Sequence, residues 1–383
     1  MFKTIEARDS DKKKTAMALL QSQVRLGVAQ QRDVIQQAMS TVITDRLVMP
    51  KALFFQHRDG VNPCVALGES TVNENWYNIH AHAMGQIADV SGITRTYVSR
   101  LRSPLPWKQE LLDYNLNQLF THEEFTGRSG AGKRFLVRTV GREVRGFLSQ
   151  NFNYRLVTAP LLRTFIEACA LHEAGPTEAQ STDVRCFIKC VLPCVFEPID
   201  NEFVAFGVTF SNSDFGAGRL KLSGVVMRIS SKTTSVLEDS YSRTHLGSVI
   251  QDSDIEMSDD TKLKELETVR GAIKDTVNGI LSYETLERNI KAIQIAHEKE
   301  IPWYKLKDKL RALLNQKELD MVETLLSASG SGVVDLPKTA VSADGDPMAT
   351  AWWAANTLSW MAANEEDPTR KNDLQEAAGK MIT

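Results

Sequence analysis

The sequence predicts an α+β fold, in which an antiparallel sheet with packed helices is followed by a mostly helical C-terminal region. Short Val-, Phe- and Ile-rich runs separated by turn residues, such as CFIKCVLPCVFEPI and EFVAFGVTFSN, are typical of antiparallel strands. Residues 261–328 instead space Leu, Ile and Val three and four apart, which is typical of amphipathic helices. The 383 residues are enough for two or three domains.

The N-terminal third is predicted to be mainly helical. Residues 10–45 mix Ala, Leu, Val, Ile and Met with Gln and Lys, and we expect a helix there. Residues 50–72 contain Pro and Gly among short apolar runs, which favours loops or short strands. Residues 79–93 predict a helix that ends near Gly92, and residues 106–120 predict another. The segment THEEFTGRSGAGK then predicts a polar, Gly-rich loop.

A β-hairpin is predicted next, from RFLVRTV and EVRGFLS around a two-residue Gly141-Arg142 turn. Residues 159–175 predict a helix stopped by Gly175-Pro176, and the apolar strands follow it. Residues 252–260 predict an acidic loop, and a break at Ile301-Pro302 interrupts the later helices. The predicted organisation is a mainly helical region 1–127, an α+β core with a basic hairpin 128–250, a helical region 251–326, a linker 327–347 and a C-terminal helical segment 348–383.

Charge is unevenly distributed along a chain whose net charge is −3. Residues 128–245 carry a net charge of +4 and residues 246–383 one of −8. Between Arg128 and Arg163 there are eight basic residues and one acidic residue, Glu143. Such a concentration suggests an anionic partner. The alternative is a solvated face that acids elsewhere in the fold balance.

The loop GRSGAGKRF has the glycine spacing of a phosphate-binding loop but not its context. Arg134 follows Lys133, where a Ser or Thr hydroxyl would hold magnesium. A strand-like run follows the loop, whereas a phosphate-binding loop opens a helix. We therefore expect no nucleotide cofactor. The segment is interpreted as a flexible loop that carries Arg128, Lys133 and Arg134 to the start of the hairpin.

The hairpin is the strongest candidate for a binding site in the sequence. With its two-residue turn, Arg138 is predicted to lie opposite Arg145, and like charges in that position destabilise a sheet. A phosphate between the two guanidinium groups would remove that cost. Phe152 and Tyr154 lie near Arg155, and cations beside aromatic rings are typical of single-stranded nucleic-acid binding. Alternatively, the rings belong to the core and an acid from a distant strand neutralises the arginines.

No pattern of catalytic or metal-binding residues stands out. His80 and His82 would point to different faces of a helix, Asp214 lies in a turn-forming sequence, and nothing recognisable pairs with His245. The odd number of cysteines and their spacing predict buried core residues rather than disulfides or a zinc site. We therefore expect no catalytic residue, no metal and no enzyme activity. The five cysteines are Cys64, Cys169, Cys186, Cys190 and Cys194.

The chain contains in this order the stretches GQIADVSGITRTYVSRL, DYNLNQLF and TAWWAANTLSWMAA. Together they resemble a family of phage- and plasmid-borne proteins catalogued as domain of unknown function 932. The segments Val144–Ser149 and Asn212–Gly216 resemble two further family motifs, whereas the ISSKTT that follows Met227-Arg228 departs from a third. The resemblance spans about residues 80–365 and implies a phage or plasmid origin without implying an activity. The helices and basic strand pair also look like phage single-strand annealing proteins of the ring-forming classes, a likeness of fold alone.

These observations lead to a functional hypothesis. We expect an oligomeric single-stranded DNA-binding protein that promotes annealing or recombination in the cytoplasm of a bacterial host. No apolar run reaches the roughly 20 residues that span a membrane, and the first residues lack the apolar core of a signal peptide. The residues expected to contact DNA are Arg128, Lys133, Arg134, Arg138, Arg142, Arg145, Phe152, Tyr154 and Arg155.

The alternative is an oligomeric phage assembly or virion-associated structural protein without nucleic-acid contact. In that case Trp352, Trp353 and Trp360 would form a subunit interface. The simpler expectation is that these three rings are the packing face of the last helical segment.

Overall fold

The computed structural model describes residues 6, 10–58, 60–68, 76–122, 134–152, 156–245, 258–328, 340–341 and 347–382. Within these ranges the chain has eleven α-helices and fifteen strands in three sheets. The fold is α+β with antiparallel-rich sheets and a helical C-terminal region, which confirms the predicted fold class.

The elements follow one another in three groups. The first is α1 (Asp11–Ser40), β1 (Ile43–Val48), β2 (Leu53–Gln56), β3 (Cys64–Leu67), β4 (Trp76–Ile79), α2 (Ala81–Ser91), α3 (Arg95–Leu101) and α4 (Pro106–Thr121). The second is β5 (Phe135–Val140), β6 (Glu143–Ser149), α5 (Thr158–Ala170), β7 (Gly175–Ser181), β8 (Cys186–Val191), β9 (Phe196–Ile199), β10 (Glu202–Asn212), β11 (Leu220–Arg228) and β12 (Thr233–Arg243). The third is α6 (Asp259–Ile280), α7 (Tyr283–Glu298), β13 (Glu300–Pro302), α8 (Trp303–Arg311), α9 (Gln316–Ala328), β14 (Ala340–Val341), β15 (Pro347–Thr350), α10 (Ala351–Ala363) and α11 (Pro368–Ile382).

The first sheet has the strand order β1-β5-β6-β4-β3-β2, with β4 and β6 parallel and the other pairs antiparallel. Helices α2, α3 and α4 cover one face and share its core. Phe55, Phe120 and Phe147 pack there with ring centroids 5.3 and 5.7 Å apart around Phe120. The predicted hairpin therefore lies in the middle of the N-terminal sheet. A boundary between residues 127 and 128 would cut this sheet in two.

The second sheet has the order β12-β11-β10-β8-β7, and β9 also pairs with β10. Helix α1 packs on one face, where Leu20 joins Val191, Ala205 and Val225. Helices α5 and α6 pack on the other, where Phe165 contacts Phe210 at 5.3 Å between ring centroids. The sheet is thus covered on both faces. For this reason its central strands are continuous apolar runs in the sequence instead of alternating apolar and polar residues.

The C-terminal helices complete the second layer rather than forming a separate unit. Trp352 and Trp353 on α10 are buried in the largest core cluster, and Trp360 packs against it. The expected packing role is confirmed, and an interface made by the two buried rings is not available. The predicted linker is wrong at residues 340–341 and 347, which pair as β14 and β15; residues 329–339 and 342–346 lie outside the described residues.

Several boundaries differ from the predictions for physical reasons. The helix predicted over 159–175 ends at Ala170, and Gly175-Pro176 opens the edge strand β7, where a proline costs no ladder hydrogen bond. Of the predicted acidic loop, residues 252–257 lie outside the described residues, and Ser258 caps α6. The predicted Gly92 end of α2 is confirmed. The helix predicted over residues 10–45 ends at Ser40, and strand β1 begins at Ile43. Strands β4, β7, β12 and β13 and helix α3 were not predicted.

The five cysteines are free; Cys194 is half-buried and the other four are buried, as predicted. Burial raises the pKa of Cys186 to about 12, which keeps this thiol protonated and unreactive. The described part of the chain contains no group of three His, Cys, Asp or Glu side chains placed to hold a metal ion. Among the described helices, none combines the length and the apolar character that crossing a membrane requires.

Helix α11 docks on β12 through Gly379, and we expect the substitution Gly379→Ala to destabilise the fold. A Cβ at this position would lie 1.8 Å from the carbonyl oxygen of Val236. Overpacking of this kind costs about 2 kcal/mol or more. The matched control is Gly271→Ala on α6, which meets nothing within 4 Å and should be neutral or stabilising. Urea unfolding of both variants measures the difference; equal midpoints would contradict the close approach of α11.

An ion pair between Glu178 and Lys371 also holds α11 in place. We expect the protein to become less stable at acid pH, because protonation of Glu178 removes this pair. Its carboxylate accepts from Lys189 Nζ at 2.8 Å and also pairs with Lys371. Desolvation raises the pKa of Glu178, but these two lysines outweigh it and lower the pKa to about 2. The stabilisation is therefore complete above the unfolded pKa of about 4.3 and is lost as pH falls through about 2.

Urea unfolding at a series of pH values between neutral and acid measures this dependence. The variant Glu178→Gln should be less stable than the wild type at neutral pH, and the gap should close by up to about 3 kcal/mol on acidification. A gap that stays constant with pH would contradict the lowered pKa.

Candidate nucleic-acid interface

The hairpin has the predicted turn but a different register. Gly141 has φ +57°, and Val140 pairs with Glu143 as expected. A β-bulge then intervenes, so that Arg138 lies opposite Gly146 and not opposite Arg145. The predicted pairing of the two arginines is wrong, because Arg145 is the extra residue of the bulge. No like-charge pair in the hairpin calls for an anion.

Arg138 is a buried structural residue, with 2 % of its surface exposed. Its Nε lies 2.7 Å from Oδ1 of Asp45, which is the residue opposite it on β1. Its Nη1 donates to the backbone carbonyl of Asp214, and its guanidinium lies 5.7 Å from the centre of the Phe152 ring. An acid from a distant strand thus neutralises this arginine, which is the alternative that the sequence left open. The geometry removes Arg138 from the predicted DNA-contacting set.

The other predicted contact residues are dispersed. Arg145 is half-buried, with its Nε 2.7 Å from Glu143 Oε2 and its Nη1 donating to the Asp183 carbonyl at 3.4 Å. Arg142 is exposed in the turn, Arg134 is half-buried before β5, and Phe152 is buried. The remaining predicted residues, Arg128, Lys133, Tyr154 and Arg155, lie outside the described residues.

The turn after β10 joins the two sheets. The carbonyl of Phe215 accepts from Gln86 Nε2 at 2.9 Å and lies 3.0 Å from His82 Nε2. The other end of the Gln86 amide accepts from the Phe147 N–H at 2.8 Å. Burial raises the pKa of Asp214, although the nearby charge of Arg138 lowers it in part. Burial also lowers the pKa of His82. These groups connect α2 and β6 of the first layer to the second sheet.

Polar side chains at this junction bond to one another. Asn212 donates to the Leu156 carbonyl and to Thr158 Oγ1, both at 3.1 Å, and its Oδ1 lies 2.8 Å from His245 Nε2. The His245 ring stacks on Phe152 with centroids 4.9 Å apart. The adjoining cavity of about 40 Å³ has room for one or two water molecules. These hydrogen bonds join the two layers at the turn after β10.

Helices α2 and α3 are joined by a short turn, and the sequence analysis missed this pair, which we call the helix-turn-helix unit. Gly92 ends α2 with φ +74°, a left-handed conformation that favours glycine. Thr94 begins α3, its hydroxyl accepting from the Tyr97 N–H at 3.3 Å. The connection between the helices is therefore three residues long, as in helix-turn-helix motifs. On its inner side the unit buries Ile87, Ala88, Val98 and Leu101.

The outer face of α3 is polar and cationic. Apart from the buried Val98 and Leu101, every residue of this helix is exposed: two arginines, a threonine, a serine and a tyrosine. Arg95 Nε donates to Asp89 Oδ1 at 2.9 Å, and this contact raises the pKa of the guanidinium. The sequence did contain a signal for this pair of helices. Gly92 is followed by the capping Thr94 and then by apolar residues at helical spacing. The exposed residues are Arg95, Thr96, Tyr97, Ser99 and Arg100.

Comparison of the chain with protein-family models found no match. Comparisons with curated proteins and with solved structures found no match either. The interpretation of the surface therefore depends on its geometry and chemistry.

The ion pair at the junction gives a test of its structural role: we expect Asp45→Ala to lower the free energy of unfolding by about 3 kcal/mol. The variant removes the carboxylate that pairs with the buried Arg138 guanidinium, and removing one partner of such a pair costs about 3 kcal/mol or more. The control is Glu167→Ala, which removes the carboxylate of an exposed pair with Arg163 and should cost less than about 1 kcal/mol. Urea unfolding measures both; equal effects would refute the role given to Arg138.

Proposed function

We propose that this chain is a DNA-binding protein whose helix-turn-helix unit docks on duplex DNA with α3 in the major groove. The observation that carries the proposal is the division of α3 into two faces. Val98 and Leu101 are buried, while its remaining side chains are exposed and are all cationic or hydroxyl-bearing. In helix-turn-helix proteins the second helix reads the groove with this outer face.

The exposed residue types suit the chemistry of DNA. Arg100 on α3 presents a guanidinium, which pairs with guanine edges or with phosphates. Thr96 and Ser99 supply hydroxyls that donate to either. Arg95 is held in place by Asp89, and a phosphate would compete with that carboxylate. Lys108, at the start of α4, donates to the Arg100 carbonyl at 3.1 Å and adds a cation beside α3.

Single-strand annealing remains a prediction of the sequence, and so does the phage or plasmid setting. Exposed Arg142 and half-buried Arg134 are the described residues of the hairpin region that favour it. The assembly alternative would now need an interface other than the buried Trp352 and Trp353 rings. Salt-sensitive binding to an oligonucleotide separates DNA binding from assembly, because counterion release weakens only the former.

The test is fluorescence anisotropy of labelled mixed-sequence duplexes titrated with the protein at low and at high salt, beside single strands. We expect salt-sensitive duplex binding, weakened about 10- to 100-fold by the change Arg100→Glu because a phosphate or base contact becomes repulsive. The matched control is Arg163→Glu, an exposed arginine on α5 outside the proposed surface. Circular dichroism of both variants checks that the fold is intact.

Two results would overturn the proposal. One is the absence of duplex binding by the wild type at low salt. The other is an equal loss of affinity in the Arg100→Glu and Arg163→Glu variants, since a general charge effect would then explain the binding.

A further inference from the structure

We propose that α4 carries a stacking surface for unpaired bases next to the helix-turn-helix unit, so that the protein prefers DNA in which a duplex meets a single strand. This inference rests on the proposed DNA-binding function and names the form of DNA that the same surface takes. It depends on three exposed side chains of α4, on their position beside α3 and on the charges around them.

The three side chains form one stripe on α4. Trp107, Leu111 and Tyr114 follow at spacings of four and three residues, and therefore share one face of the helix. Their exposed fractions are 59 %, 36 % and 62 %. Large apolar side chains that lie next to one another on the outside of a helix are typical of a binding surface.

The stripe borders the proposed DNA-reading helix. Lys108, which follows Trp107, donates to the Arg100 carbonyl of α3, and Asn115, which follows Tyr114, donates to the Tyr97 hydroxyl at 3.1 Å. The side of α4 next to the stripe is therefore packed on α3. Tyr97 itself is 38 % exposed and continues the aromatic surface onto α3.

The charges around the stripe favour a nucleic-acid strand over an apolar peptide. Lys108 Nζ lies 5.6 Å from the centre of the Trp107 ring, and Arg100 is exposed beside it on α3. Glu110 is the acidic residue at the far edge of this face. Aromatic rings interleaved with cations stack bases and follow the phosphate backbone, whereas the centres of protein interfaces are depleted of charge.

The opposite side of α4 holds the stripe rigidly in place. The Asn117 side chain accepts from the Phe55 N–H at 2.9 Å and donates to the Phe55 carbonyl at 2.8 Å, which ties α4 to β2. Asp113 accepts from the His57 N–H at 2.7 Å, and its other oxygen lies 2.7 Å from His57 Nδ1. A surface fixed to a sheet in this way binds without first having to be ordered.

The experiment compares a blunt duplex with the same duplex carrying a single-stranded overhang, by fluorescence anisotropy with the full chain. We expect the wild type to bind the overhang substrate about tenfold tighter, since stacking of one or two bases on aromatic rings gives a preference of that order. The double variant Trp107→Ala/Tyr114→Ala should lose this preference and keep its affinity for the blunt duplex. The control is Tyr304→Ala, an equally exposed tyrosine on α8.

Each other outcome overturns the inference in a recognisable way. Equal affinity of the wild type for the two substrates refutes the stacking surface while leaving duplex binding intact. A preference that survives in the double variant places the stacking elsewhere. If the double variant changes only the sedimentation behaviour, the stripe is a protein interface. Binding to neither substrate refutes the proposed function together with this inference.

Discussion

The ion pair between the buried Arg138 and the partly exposed Asp45 is the contact on which the architecture depends. A guanidinium removed from water must have a carboxylate within reach, and here β1 provides it across the sheet from β5. The same arginine donates to the carbonyl of Asp214 in the turn after β10. One side chain therefore fixes the register of the first sheet and links it to the second. The neighbouring amide of Gln86 repeats this connection from α2.

The basic stretch between Arg128 and Arg163 was predicted to bind an anionic partner, but Arg138 and Arg145 in this stretch form ion pairs within the fold. Where the structure describes it, Arg138 and Arg145 are matched by Asp45, Glu143 and Asp183. These positive charges hold the two layers together. The cations on which the DNA-binding proposal depends lie instead on α3 and at the start of α4, in residues 1–127, whose net charge is +1. Local exposure, rather than regional composition, distinguishes a binding surface from a structural ion-pair network.

Local signals in the sequence predicted the local structure. The glycine that ends α2, the Gly141-Arg142 turn and the apolar strands of the second sheet are each encoded within a few residues. The bulge at Arg145 was missed, because one extra residue cannot be recognised from the alternation of two strands as short as β5 and β6. The partner of Arg138 was missed because it lies 93 positions away. The helix-turn-helix unit was predicted in part, since its first helix and Gly92 were recognised. Helix α3 has only seven residues and was not predicted.

The packing of the first helix and the last helix on the same sheet constrains the order in which the chain assembles. The first sheet needs strands only up to Ser149, so it can close while the rest of the protein is still being synthesised. Helix α1 is made earlier, yet its buried Leu20 and Val34 belong to core clusters formed with the second sheet and with α5. That sheet in turn lacks its last cover until α11 has emerged. During synthesis from the N-terminus, the apolar side of α1 therefore stays exposed until most of the polypeptide has been made.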